Sequence, residues 1–134
     1  MENFYDSWQP RFRSALRIVT ALLLIPHGTM KLFGWPSGEP MELFSLMGAA
    51  GTIEVVGGIL FLIGWFTRPT AFILAGFMAA AYFMAHAAQA FLPIINGGEL
   101  AALYCFVFLY FWMAGPGEWS VDEMRSPARR HASA

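Results

Sequence analysis

The sequence predicts an all-α protein, an integral membrane four-helix bundle with both termini in the cytoplasm. Hydrophobic residues make up 57% of its 134 residues and charged residues only 13%, whereas a soluble domain carries about 25% charged residues. Four apolar stretches, separated by turn motifs, are each long enough to cross a bilayer. We therefore expect a single domain over residues 1–134, with spans at approximately 15–33, 45–66, 70–92 and 98–114.

The first span is predicted from the apolar stretch at residues 15–33, which we interpret as a retained helix. Acidic residues upstream and a proline near its end distinguish it from a cleaved secretory signal. Arg17 and Lys31 lie near its two ends, and we expect both to extend their charged groups outward to the membrane surfaces. Pro26 is expected to bend the helix, because it frees a backbone carbonyl one turn earlier.

A second apolar stretch begins after a loop rich in glycine and proline, residues 34–42. From residue 43 to residue 67 its only charged side chain is that of Glu54. The stretch is either one tilted span or a short interfacial helix over residues 43–50 followed by a span, and the sequence leaves both open.

Three glycines in this second stretch, Gly57, Gly58 and Gly64, predict close helix packing. Small residues allow membrane helices to approach one another closely. The same glycines suit packing within one chain or a homodimer through Gly57 and Gly58, and the sequence does not choose between these arrangements.

The third and fourth spans are bounded by turn motifs. Pro69 suits the first turn of a helix, and no fixed charge occurs from Thr70 to Pro93. The sequence Asn96-Gly97-Gly98 breaks the helical pattern before a fourth apolar stretch. Gly115-Pro116-Gly117 ends that stretch.

Seven of the eight basic residues are predicted to lie on one side of the membrane. They are Arg11, Arg13, Arg17, Arg68, Arg125, Arg129 and Arg130. Only Lys31 falls on the other side, and the positive-inside rule therefore places both termini in the cytoplasm. Because the net charge is −1 and the basic residues form no patch, nucleic acid is not expected as a partner.

Polar side chains are predicted to meet in the outer half of the bundle. On the first helix, one inward-facing stripe holds Arg17, Thr20, Leu24, His27 and Lys31, and on the third helix a narrower stripe holds Tyr82, His86 and Gln89. From their depths in the four spans, the residues expected to converge are His27, Lys31, Glu54, His86, Gln89 and Glu99. A carboxylate inside an apolar span is costly and usually marks function, but Glu54 paired with Lys31 or a histidine would equally suit helix packing.

Two chemistries suit such a cluster. Imidazole and carboxylate groups ligate transition metals, but the sequence has no Glu-x-x-His pair of the di-iron bundle kind, and no metal-ligand set is identified. The alternative, which we favour, is a quinone head group whose protons a carboxylate and a histidine accept. The candidate catalytic residues are then Glu54 and His27, and the candidate cofactor-binding residues are Arg17, Lys31, His86, Gln89 and Glu99. With Cys105 as the only cysteine, a dithiol mechanism is excluded.

The chain resembles the DoxX-like family of small four-helix bacterial inner-membrane proteins over roughly residues 15–124. The matching segments are Arg17 with His27 to Leu32, Glu54 to Gly58 with Gly64 and Thr67-Arg68, His86, and Gly115 to Asp122. The resemblance implies a multi-pass protein of the bacterial inner membrane, often associated with quinone-linked sulfur redox chemistry or with membrane redox-stress complexes. Where members of the family use paired cysteines, this chain departs from the pattern.

These observations favour the membrane subunit of a quinone-linked redox system, in contact with lipid and with a protein partner or a second copy of itself. Two other functions remain open. One is a non-enzymatic scaffold that docks a partner, and the other is a small transporter of a hydrophobic or anionic solute. Loss of quinone-coupled turnover in a folded Glu54 variant would distinguish the first function from the scaffold.

Overall fold

The computed structural model describes residues 2–126, and every regular element in that range is an α-helix. The helices are α1 (Glu2–Phe33), α2 (Leu46–Ile63), α3 (Thr67–Ala85), α4 (Pro93–Asn96), α5 (Glu99–Ala114) and α6 (Val121–Met124). The predicted all-α fold class is confirmed. Arg129 and Arg130, which contributed to the predicted sidedness, lie outside the described residues.

Three of these helices, α1, α2 and α3, are long and apolar enough to cross a membrane, and α5 is apolar but shorter, with 16 residues. Large apolar side chains on these helices are exposed, among them Leu22, Leu23, Phe72 and Ile73. Exposed apolar faces of this extent suit contact with lipid. The helices are thus those of a membrane helical bundle, while the four-span arrangement and its sidedness stay predictions.

Helix α1 extends well before the predicted span at residues 15–33. It begins at Glu2 and continues through Pro10, for 32 residues in all. At 1.5 Å per residue its length is about 48 Å, more than the hydrocarbon thickness of about 30 Å. The part of α1 before residue 15 therefore extends beyond a single span, and its aromatic side chains Phe4, Tyr5 and Phe12 are exposed.

The chain forms two compact units. The first contains α1, α2 and the segment that begins at Pro116, and the second contains Arg68–Gly115. In the first unit, α2 begins at Leu46 with Ser45 as its N-cap, where the Ser45 hydroxyl accepts a hydrogen bond from the Gly48 N–H at 3.1 Å. Residues 46–50 are therefore part of one continuous helix, which decides between the two alternatives left open for residues 43–50.

Helices α1 and α2 pack through small residues. A Cβ at Gly28 would lie 2.7 Å from the Gly51 carbonyl oxygen, and a Cβ at Gly58 would lie 2.7 Å from the Ile25 side chain. The predicted close approach is thus confirmed at Gly58. Gly64 has a different role, because it ends α2 in the left-handed conformation at φ 68°.

We expect Gly28→Ala to lower the free energy of unfolding by about 1–3 kcal/mol, since overpacking a tight contact forces the backbone apart. Gly76→Ala on α3 is the matched control. A Cβ there meets no atom within 4 Å, so the loss of glycine flexibility should raise stability by about 0.5–1 kcal/mol. Titration with SDS in mixed micelles measures both, and equal effects of the two substitutions would contradict the observed packing.

The segment that begins at Pro116 is held within the first unit by two polar groups, the Asp122 carboxylate and the buried Arg17 guanidinium. The Asp122 carboxylate accepts hydrogen bonds from the backbone N–H groups of Phe66 at 2.9 Å and Thr67 at 2.8 Å, which satisfies donors at the start of α3. The expectation that Arg17 extends to the membrane surface is wrong. Arg17 is only 1% exposed and donates to backbone carbonyls of this segment, because those carbonyls have no helical partners and the guanidinium can reach several of them at once.

In the second unit, α3 ends at Ala85, before the predicted boundary at residue 92. His86 and Gln89 therefore lie in the turn after α3, where the His86 N–H still donates to the Tyr82 carbonyl at 3.0 Å. At the other end of the unit, Arg68 donates to the carbonyls of Trp112 at 2.7 Å and Met113 at 2.6 Å. Arg68 thus satisfies carbonyls in the last turn of α5, where a cation is favoured.

Candidate functional site

A buried ion pair joins α1 to α2. The Lys31 ammonium nitrogen lies 2.7 Å from Glu54 Oε2 and 3.0 Å from Glu54 Oε1. The lysine side chain is 19% exposed and the glutamate side chain 7% exposed. Removing two charges from water is costly unless they are paired and hydrogen-bonded, so the geometry of this pair explains how α2 tolerates a carboxylate.

The glycines of both helices make room for the pair. A Cβ at Gly51 would lie 2.9 Å from Lys31 Cβ, and a Cβ at Gly28 would lie 2.9 Å from Glu54 Cβ. Lys31 also donates to the His27 carbonyl at 3.2 Å. The three acceptors match the three donors of an ammonium group, and the pair as a whole carries no net charge when both groups are ionised.

An open cleft of about 220 Å³ lies beside the ion pair, and its walls are mostly apolar. Its lining residues are His27, Met30, Lys31, Ser37, Gly38, Glu39 and Met41. The loop that forms one wall is folded back onto α1, because Thr29 Oγ1 donates to the Trp35 carbonyl at 2.9 Å and the Met41 N–H donates to the Lys31 carbonyl at 2.7 Å. The cleft is therefore preformed.

His27 is exposed and lies on the wall of this cleft. A neutral imidazole has one donor nitrogen and one acceptor nitrogen. The first unit thus brings together three of the predicted site residues, namely His27, Lys31 and Glu54.

Arg17 lies outside this group. It precedes His27 by ten residues on α1, a distance of about 15 Å at 1.5 Å per residue. Its guanidinium donates to the carbonyls of Pro116, Trp119 at 2.6 Å and Leu62 at 3.3 Å. This arrangement favours a role for Arg17 in holding the first unit together.

The second unit contains a separate hydrogen-bonded group around His86. Its Nδ1 lies 3.0 Å from the backbone carbonyl oxygen of Asn96. Asn96 is 3% exposed, and its side-chain amide donates to the Tyr82 hydroxyl at 3.2 Å and to the Ala90 carbonyl at 3.0 Å. The segment from α3 to α5 is thereby fixed around one buried asparagine.

Gln89 and Glu99 occupy the surface of the second unit. Gln89 is exposed and donates to the Ala85 carbonyl at 2.7 Å. Glu99 is the exposed first residue of α5, where its charge favours the helix N-terminus. The predicted convergence of these residues and His86 with the ion pair stays a prediction.

The sequence analysis did not identify several residues of these groups. Asn96 was interpreted only as part of a turn, although a buried asparagine beside two glycines is also typical of a loop held by its side chain. Met30 and Met41, on the cleft walls, gave no signal in a chain with eight methionines. Within residues 2–126, no three His, Cys, Asp or Glu side chains lie close enough to bind one metal ion.

Comparison with known proteins gives two matches. The DoxX family profile matches residues 12–87. A protein of Haemophilus influenzae described as uncharacterized is 45% identical over 132 residues, which cover 90% of this chain and 95% of that protein. No solved structure matches. Since the family profile covers more than half of the chain, and its helices are those of a membrane protein, the chain belongs to the DoxX family of membrane proteins.

Proposed function

We propose that this protein is the membrane subunit of a quinone-linked redox system of the bacterial inner membrane, with both termini in the cytoplasm. In this proposal the cleft beside the Lys31–Glu54 pair receives the quinone head group, and a partner protein exchanges electrons with the quinone. The observation that carries the proposal is a buried ion pair next to an open, mostly apolar cleft that has an exposed histidine on its wall.

The ion pair favours a chemical function, and not helix packing, as the explanation for a glutamate at position 54 of the apolar helix α2. A buried pair replaced by well-packed apolar side chains is often as stable or more stable. Charged residues within membrane helices are rare, and they mark ligand or proton pathways. The cost of burying Lys31 and Glu54 is therefore easier to explain by a chemical role than by stability.

The volume of the cleft and the chemistry of its walls both suit a quinone head group. Drug-sized ligands occupy pockets of about 300–1,000 Å³, so a cleft of about 220 Å³ suits one ring whose tail lies in lipid. The thioethers of Met30 and Met41 are soft apolar groups that adapt to a flat ring. A bound quinone supplies the two-electron chemistry, and the protein supplies the ring walls and the groups that hold protons.

His27 and Glu54 have different tasks in this proposal. The His27 imidazole exchanges a proton with the ring oxygen, because it lies exposed on the cleft wall and an imidazole can both donate and accept a proton. The Lys31 ammonium group balances the charge of the Glu54 carboxylate. Because it also donates to the His27 carbonyl, it connects the carboxylate to the turn of α1 that carries His27. Glu54 then serves as the buried proton acceptor behind His27.

The test is equilibrium binding of a short-chain quinone to the protein in nanodiscs, measured by quenching of tryptophan fluorescence. We expect one quinone per chain and about fivefold weaker binding by His27→Leu, the loss expected for one hydrogen bond. Glu42→Gln is the matched control, since Glu42 is an exposed acid of the same loop and lies outside the lining of the cleft.

Two results would contradict the proposal. One is a folded protein that binds no quinone, and the other is quinone affinity unchanged by His27→Leu. A protein that carries no quinone but retains a second polypeptide through purification would instead support the scaffold function.

A further inference from the structure

Three residues with soft or borderline metal-ligand groups line the cleft beside the ion pair. They are Met30 and Met41, which carry thioethers, and His27, which carries an imidazole. Met30 is 38% exposed and Met41 is 48% exposed, so neither side chain is packed into the core of the first unit. Two exposed thioethers on the walls of one cleft are therefore available to a ligand.

The backbone brings these three residues to one end of α1. His27 and Met30 are three positions apart on the helix, a spacing that puts side chains on the same face with Cβ atoms about 5–6 Å apart. The Met41 N–H donates to the Lys31 carbonyl at 2.7 Å, which holds the loop against the turn of α1 that carries Met30. Because a methionine side chain is unbranched and flexible, both sulfurs can close on one small ion without movement of the backbone.

The charges around the cleft favour a cation. The Lys31 ammonium group is paired with the Glu54 carboxylate at 2.7 Å, so this pair adds no net charge when both groups are ionised. The other charged residue of the lining is Glu39, which is exposed. With a neutral His27, the cleft thus has the single negative charge of Glu39, which attracts a cation and repels an anion.

We propose that the cleft is a Cu(I) site in which the two sulfurs of Met30 and Met41 and one ring nitrogen of His27 are the ligands. Thioethers are soft ligands that select Cu(I), and imidazole also suits copper. Zinc and iron sites use imidazole, thiolate and carboxylate groups, and no three side chains of these kinds lie close together within residues 2–126. Three neutral ligands leave the ion its single positive charge, which Glu39 balances.

Bound Cu(I) excludes the quinone head group, a consequence that rests on the proposed function. Both ligands would use the same cleft of about 220 Å³. The metal also takes the lone pair of a His27 ring nitrogen, and that nitrogen can then neither accept a proton from a ring oxygen nor donate one to it. Cu(I) is therefore an inhibitor of quinone binding at this site.

Cu(I) affinity is measured anaerobically on the full chain in detergent, by competition with the colorimetric chelator bicinchoninate in the presence of ascorbate. We expect one Cu(I) per chain and at least about tenfold weaker binding by Met30→Leu and by Met41→Leu, since loss of even an indirect partner of a metal ligand costs about 10–100-fold in affinity. Leucine retains the apolar volume, so these variants should fold. Met47→Leu is the matched control, because Met47 is 43% exposed in the same unit and lies outside the lining of the cleft.

X-ray absorption at the copper K edge identifies the ligands. We expect two sulfur neighbours and one nitrogen neighbour in the wild type, and one sulfur fewer in Met30→Leu. A folded protein that binds no Cu(I) overturns the proposal, as does bound copper without sulfur neighbours. It is also overturned if Met47→Leu weakens binding as much as Met30→Leu, or if an equal concentration of Zn(II) displaces the Cu(I), because thioethers are poor ligands for zinc.

Exclusion of the quinone is tested with Ag(I), a soft monovalent ion that cannot reduce the quinone as Cu(I) can. With Ag(I) at about ten times its Kd, competition for one site should weaken quinone binding to the wild type about tenfold, and to Met30→Leu about twofold or less. Unchanged quinone affinity with Ag(I) bound refutes the exclusion. If the wild type binds no quinone, the proposed function fails, while the Cu(I) affinities and the copper ligands still decide whether the cleft is a metal site.

Discussion

Replacing Arg17 with methionine should lower the free energy of unfolding by about 3–5 kcal/mol, because three part-buried backbone carbonyls lose a charged donor. Arg17 is 1% exposed and its guanidinium donates to three backbone carbonyls, two of them in the segment after α5. Methionine retains much of the apolar stem and removes only the donors. SDS titration in mixed micelles, followed by circular dichroism, measures the loss.

Two further variants test whether the lost hydrogen bonds of Arg17 cause the loss of stability. Arg17→Lys keeps the charge but replaces a planar group of five donors with a compact ammonium, so it should recover less than half of the lost stability. Arg11→Gln is the matched control, since the ion pair of Arg11 with Glu118 is 40% and 32% exposed and should be worth less than about 1 kcal/mol. If Arg17→Met is no more destabilising than Arg11→Gln, the buried hydrogen bonds of Arg17 contribute nothing to stability.

The contacts of Arg17 also explain part of the resemblance to the family. Several segments that match the family contact one another. Arg17 donates to carbonyls of the closing segment, Gly115 to Asp122, and the Asp122 carboxylate accepts a hydrogen bond from the backbone N–H of Thr67. Residues far apart in the chain thus form one structural group at the junction of α1, α2 and the segment after α5. These contacts hold the first unit together and lie outside the lining of the cleft.

Helical periodicity predicted which side of α1 faces inward but not what that side contacts. Arg17, Thr20 and Leu24 are buried, as the predicted stripe requires, whereas His27, on the same predicted stripe, is exposed. The expectation that Arg17 would reach the membrane surface was wrong because two of its three acceptors, the carbonyls of Pro116 and Trp119, lie 99 and 102 residues later along the chain. Local patterns carry no information about contacts of that kind, whereas composition and apolar length were sufficient for the all-α class.

The candidate site was predicted only in part, because some of its contacts also join residues that are far apart in the chain. Lys31 and Glu54 were expected to converge because of their depths in the predicted spans. The expectation that the Lys31 charge extends outward to the membrane surface is wrong, because the ammonium group pairs with Glu54. The end of α3 at Ala85 was not predicted, since no proline or charge marks it and the apolar composition continues to residue 95. Asn96 was missed because its role depends on a tertiary hydrogen bond to the carbonyl of Ala90 and another to the hydroxyl of Tyr82.

Lys31→Met should lower the free energy of unfolding by about 3–5 kcal/mol, the cost of leaving a buried carboxylate without its partner. The Glu54 side chain is only 7% exposed, so it cannot turn to water without moving α2 away from α1. The double variant Lys31→Met/Glu54→Met removes both charges and keeps similar side-chain volumes. We expect it to be within about 1 kcal/mol of the wild type, because desolvation and attraction nearly cancel in the native pair.

This double-mutant cycle decides between packing and chemistry as the reason for the pair. If the pair serves a quinone, the double variant folds with native stability but loses quinone binding, since neither the buried carboxylate nor its counter-charge remains. If the pair serves helix packing, the double variant is as unstable as Lys31→Met alone. The same cycle on Arg11 and Glu118, whose partly exposed pair has an N–O distance of 3.2 Å, should give a coupling energy below about 1 kcal/mol. A large coupling for Lys31 and Glu54, together with a stable but quinone-free double variant, is therefore the combination that only a chemical role explains.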